Sequence, residues 1–124
     1  MSGQSAPVVP SRPLAPPASF GEFWPHYLRA HRNARCRALH YLGTTISLIC
    51  LGVLLATGEL RWLLVGTLCG YGCAWIGHFF VEGNRPAAFT NPLWSFLGDW
   101  RMYGLWLTGR LGPHLESAER DEVP

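Results

Sequence analysis

Between Arg37 and Glu59 the chain reads ALHYLGTTISLICLGVLLATG, residues 38–58, without one formally charged side chain. Between Arg61 and Glu82 it reads WLLVGTLCGYGCAWIGHFFV, residues 62–81, again uncharged. About 20 apolar residues suffice for a helix to cross the hydrocarbon core of a bilayer. Both runs meet that length, although Gly, Thr and His dilute them. Gly58-Glu59-Leu60-Arg61 between them reads as a tight turn. The pattern predicts two spans, about 38–58 and 62–81, folded as a hairpin. Buried core helices of a soluble protein are the competing reading, but a chain of 124 residues has little else to wrap around two such helices.

Composition agrees. The chain is 48% hydrophobic and 15% charged, and its mean hydropathy is +0.10 despite polar ends. A disordered middle is excluded. A nucleic-acid partner is not expected at a net charge of +2. The charge is also uneven. Arg29, Arg32, Arg35 and Arg37 precede the first span and Arg85 and Arg101 follow the second, whereas the turn holds Arg61 alone. The positive-inside rule then places both termini in the cytoplasm. Cys36, Cys50, Cys69 and Cys73 form no C-x-x-C pair, and three of them lie in apolar runs. They read as small packing residues rather than a disulfide framework or a thiolate metal site.

Within the spans, small residues mark the packing faces. His40, Gly43, Ser47 and Cys50 share one face of the first helix, and Gly66, Gly70, Ala74 and His78 share one face of the second. Such faces let helix backbones approach closely in lipid. His40 opens the first span and His78 closes the second, so an antiparallel hairpin brings both histidines to one membrane depth.

Amphipathic helices are expected on either side, at about 20–32 and 93–108. Ser19-x-x-Glu22 resembles a capping box. After it, Phe20, Phe23, Trp24, Tyr27, Leu28 and His31 form one apolar stripe of interface-seeking aromatics. Pro25 either kinks this helix or opens it. His31 falls on the stripe and His26 off it. In the last helix Phe96, Trp100, Tyr103 and Leu107 make the stripe, with Asp99 at its edge. Asp99 and Arg101 at mid-length argue against a third span. The domain is therefore 19–110. Residues 1–18, with Pro7, Pro10, Pro13, Pro16 and Pro17, read as a disordered tail lacking the basic start and apolar stretch of a signal peptide. Residues 111–124 read as a disordered acidic tail.

Four polar groups gather at the depth of His40 and His78. His31 joins them if the chain breaks between residues 31 and 40, and Asn33 is the natural break. Glu82 follows His78 by four residues, on the same face if the helix continues. Three imidazoles and a carboxylate suit Fe(II), Zn(II) or Mn(II). Asp99 and Asn33 are candidates to orient these ligands. Arg85 is a candidate partner for a substrate carboxylate or, equally, a positive-inside anchor.

The same residues carry a resemblance. His31-Arg32-Asn33, His40 and the run from Gly77-His78 through Glu82-Gly83-Asn84-Arg85-Pro86-Ala87 resemble a small membrane family long catalogued as a domain of unknown function. Its characterised fungal members are iron-dependent 2-hydroxy fatty acid dioxygenases of fatty acid α-oxidation. The likeness extends over roughly 20–110. It implies Fe(II) held by His31, His40 and His78, a 2-hydroxy fatty acid chelating the iron through its carboxylate and hydroxyl, dioxygen as co-substrate, and membrane lipid around the acyl tail. The fungal enzymes are longer and have more apolar segments. A non-catalytic membrane protein with structural histidines, and a bis-histidine haem protein using His40 and His78, are the alternatives.

Overall fold

The computed structural model describes residues 17–120, and among these every regular element is helical. In chain order these are α1 (Phe20–Arg29), α2 (Ala34–Thr57), α3 (Arg61–Ile76), a π-helix (Gly77–Glu82) continuing α3, a 3-10 turn (Ala87–Phe89), α4 (Pro92–Leu107) and α5 (Leu111–Arg120). The fold is an all-α membrane-type hairpin flanked by amphipathic helices. The proline-rich segment 1–16 and residues 121–124 lie outside the described residues.

Helix α2 and the continuous helix Arg61–Glu82 are each long and apolar enough to cross a membrane, and only 22% of each span is buried. Leu42, Leu48, Ile49, Leu55, Leu64, Leu68 and Phe80 are exposed. A bare apolar surface of that extent marks contact with something other than water, which a soluble core helix would not present. The two helices meet along their small faces. A Cβ on Gly43 would stand 2.9 Å from the Gly70 carbonyl oxygen, so only glycine permits this approach. Ser47 donates to the Gly66 carbonyl at 2.8 Å. Gly58 closes α2 in the left-handed region, φ 71°, where a side chain would be strained. Arg61 then pairs with Glu59 at 2.5 Å across the turn.

The packed core lies at the other end, where α1 is covered by α4 and α5. Phe23, Trp24, Tyr27 and Leu28 are buried there with Met102, Leu111 and Ala118. Helix α1 starts at Phe20, since the Ser19 hydroxyl accepts from the Glu22 N–H and the Glu22 carboxylate accepts from the Ala18 N–H at 2.8 Å. Pro25 therefore lies inside the helix rather than opening it. The carbonyl its missing N–H leaves free belongs to Gly21, which is exposed.

One expectation is corrected. Residues 111–120 are not a tail but α5, docked on α1. Trp24 donates its indole N–H to His114 at 3.2 Å, Arg29 donates to the Ala118 carbonyl at 3.1 Å, and Arg32 pairs with Glu119 at 2.7 Å. The stripe is short, Leu111, Leu115 and Ala118, and hidden among charges; Pro113 sits in the first turn, where proline is tolerated. In α4 the aromatic stripe faces outward. Phe96, Trp100 and Leu107 are exposed, whereas Ser95, Gly98 and Met102 are buried. Trp94 and Tyr103 pack against the core with the small side chains, while Phe96, Trp100 and Trp106 are exposed.

Candidate metal centre

Three elements deliver three imidazoles to one point. His31 follows the last turn of α1, His40 lies two turns into α2, and His78 sits in the π-helix. All three are buried, and one nitrogen from each lies within 4.8 Å of the others. Ring centroids are 4.5, 4.5 and 4.9 Å apart and the rings are nearly perpendicular, at 78°, 79° and 89°. The expected break falls at Asn33, whose side chain caps α2 by accepting from the Arg35 N–H at 2.8 Å. Arg37 fastens this turn by donating to the His31 and Arg32 carbonyls at 2.7 and 2.6 Å. On the other side, a Cβ on Gly77 would meet the Cys36 sulfur at 3.0 Å, so glycine lets the end of α3 close on α2 beside the histidines.

Hydrogen bonds fix the tautomers. His31 Nδ1 faces the Tyr27 carbonyl oxygen at 2.5 Å, and His40 Nδ1 faces the Cys36 carbonyl oxygen at 2.8 Å. His78 Nδ1 faces Asn84 Oδ1 at 2.7 Å, and Asn84 is oriented by donating its own amide to the Ala30 carbonyl at 3.0 Å. Each partner is an acceptor only, so each Nδ1 carries the proton and each neutral ring presents a bare Nε2. The Nε2 atoms of His31 and His40 are 3.1 Å apart, lone pair against lone pair. Protonation does not relieve them. Burial first, then the neighbouring His40 and His78, holds His31 well below the ordinary histidine range. A shared cation does relieve them. Two nitrogens at ~2.1 Å from one tetrahedral metal stand ~3.4 Å apart, near the 3.1 Å between His31 and His40. Nδ1–H donation to a carbonyl or side-chain oxygen is also how metal-bound histidines are held.

Glu82 is not in this group. Its carboxylate accepts a short hydrogen bond from the Asn33 N–H at the start of α2, where helix and charge are complementary. The i+4 spacing to His78 does place both at the same level, but the π-helix widens the turn and the carboxylate meets the α1–α2 turn instead. Glu82→Gln retains an acceptor for that N–H. It is expected to keep full metal occupancy and lower the midpoint of thermal unfolding only slightly; loss of metal in this variant would restore Glu82 as a ligand.

Asp99 acts at one remove. Tyr27 donates a short hydrogen bond to it, and the Tyr27 ring stacks on His31 with centroids 4.1 Å apart. Burial raises the Asp99 carboxyl to about 6, although the Tyr27 hydrogen bond pulls the other way. A folded-state value raised above the unfolded one favours folding most at low pH, and the advantage is lost as pH rises through about 6. Asp99→Asn should therefore flatten the fall in thermal stability between about pH 4 and 6; parallel pH profiles for variant and wild type would contradict this.

Asn33 caps and does not touch a histidine. Asn84 is the orienting residue that spacing did not reveal, although it stands six residues after His78 in the quoted run. Arg85 is exposed and has no ion pair among the described residues. His26 is exposed and bonded to Arg29 at 2.9 Å, away from the centre.

An apolar groove leads off from His40. His40, Thr44, Ser47, Leu51 and Leu54 form its α2 wall, and α3 lines it from Ala74 to Trp62. Phe96, Asp99 and Trp100 of α4 flank it.

Fold and site together define a helical membrane-type hairpin with a candidate three-histidine metal centre at one end. The chain belongs to the family described as 2-hydroxy-palmitic acid dioxygenase Mpo1-like, which it matches over residues 17–111. No curated protein and no solved structure matched the chain.

Proposed function

We propose that this protein is a membrane-embedded, Fe(II)-dependent dioxygenase that shortens 2-hydroxy fatty acids by one carbon, as in fatty acid α-oxidation. One observation carries the reading: three buried histidines converge, and one of them, His40, heads an apolar groove, in a chain of a dioxygenase-like family. His31, His40 and His78 hold the iron, which supplies positions for the 2-hydroxy acid and for dioxygen. The chain's own residues do the rest. The groove takes the acyl tail from the surrounding lipid. Arg85, exposed next to the residue that orients His78, pairs with the substrate carboxylate. Tyr27 and Asp99 keep His31 in register. Overall, one 2-hydroxy acid and one dioxygen give the acid one carbon shorter, carbon dioxide and water.

The haem alternative is disfavoured by geometry. Ring centroids 4.9 Å apart leave no room for a macrocycle between His40 and His78. The purified chain in nanodiscs, loaded with Fe(II) and given dioxygen and 2-hydroxypalmitic acid, is expected to release pentadecanoic acid. Product no greater than in the metal-free control would favour the non-catalytic reading. We also place both termini on the cytoplasmic side, from the arginines around the spans. Reporter fusions after Gly58 and at Pro124 are expected to read outside and inside, respectively; the reverse pair would invert the orientation.

A further inference from the structure

We infer that Trp62 is the stop that sets the length of acyl chain the protein accepts. The inference rests on the proposed function and extends it to substrate selection. The groove begins at His40 and ends where Leu54 of α2 stands beside Trp62, near the start of α3. Residues 40 to 54 cover 14 helical steps, and at 1.5 Å each the floor is ~21 Å long. The bilayer core, ~30 Å thick, is two disordered acyl chains end to end. A groove of ~21 Å runs along about two thirds of that thickness and takes one acyl chain lengthwise, with its carboxyl end at His40. Along the α2 wall Thr44 and Ser47 lie nearer the head, and Leu51 and Leu54 lie nearer the far end. Trp62 is the bulkiest side chain there. Its ring is half-buried and the Arg61 guanidinium lies 5.5 Å from its centroid, itself paired with Glu59. Trp62 thus lines the far end of the groove, where a smaller side chain would leave more room.

Two measurements on the full chain in nanodiscs test this. The first needs no turnover. A 2-hydroxypalmitic acid carrying a photoreactive diazirine at its methyl end should label Trp62, Leu54 and Leu63, as mapped by mass spectrometry. Label spread over the outward residues Leu48, Leu55, Leu64 and Leu68 would overturn the assignment. The second compares kcat/KM for 2-hydroxylauric, 2-hydroxypalmitic and 2-hydroxylignoceric acids. Trp62→Ala should shift the lignoceric-to-palmitic ratio upward by about tenfold, the low end for methylenes gaining room in an apolar pocket. Thr67→Phe places a ring halfway along the α3 wall and should shift the preference towards the lauric acid. Unchanged ratios in both variants would refute the stop. Labelling at Trp62 in a wild type that releases no shortened acid would uphold the groove and its stop while removing the proposed reaction. Shortened acid with scattered labelling would remove the stop alone.

Discussion

Alanine in place of His31, His40 or His78 is expected to strip the metal from the protein. Even an outer partner of a metal-bound histidine is worth about 10–100-fold in affinity, so loss of a ligand should exceed that, and oxygenation should fall below detection. The His26→Ala variant, changed at an exposed ring bonded to Arg29, should match wild type. Thermal unfolding gives a second readout. A metal present at 100 times its dissociation constant stabilises the folded state by about 2.7 kcal/mol. Wild type should therefore unfold at higher temperature with Fe(II) than without it, and each ligand variant should show no such rise. An equal rise in wild type and all three variants would show that the metal binds elsewhere.

The second large effect belongs to Asn84. Asn84→Ala should weaken metal binding about 10–100-fold without removing a ligand. Asn84 Oδ1 fixes the proton of His78 on Nδ1, and its amide joins this ring to the Ala30 carbonyl at the end of α1. Losing it frees His78 to rotate or to protonate Nε2, the atom the metal needs. Asn84→Asp keeps an acceptor for His78 but sets a carboxylate oxygen against the Ala30 carbonyl, so its affinity should lie between wild type and the alanine variant. Titration with Co(II), followed by its visible ligand-field bands, would order the three proteins. Identical affinity in Asn84→Ala and wild type would show that the Asn84 hydrogen bond does not tune His78.

What the sequence discloses here is periodicity and charge; what it conceals is which neighbour a side chain meets. The two spans were legible because residues 38–58 and 62–81 carry no charge, and lipid tolerates few. The approach of α2 and α3 was legible in Gly43, Ser47, Gly66 and Gly70, since small residues have one evident use in such a hairpin. Convergence of His31 with His40 needed a chain break, and Asn33 is a residue that starts helices. Glu82 illustrates the limit. Its spacing from His78 fixes a level, but the competing N–H of Asn33 comes from a segment 49 residues away. Asn84 was hidden for the same reason, because its importance depends on the Ala30 carbonyl. Helix α5 escaped notice because its stripe of Leu111, Leu115 and Ala118 is too short to stand above its charges. It holds by tertiary contacts with Trp24, Arg29 and Arg32 rather than by its own periodicity.

We propose that His31, His40 and His78 bind one metal ion through Nε2. X-ray absorption at the iron edge, with metal analysis of the same Fe(II)-loaded full chain, tests it most directly. One iron per chain is expected, with the multiple-scattering pattern of three imidazoles at ~2.1 Å and no haem absorption band. Iron without imidazole scattering, or iron retained undiminished when all three histidines are replaced by alanine, would contradict the account.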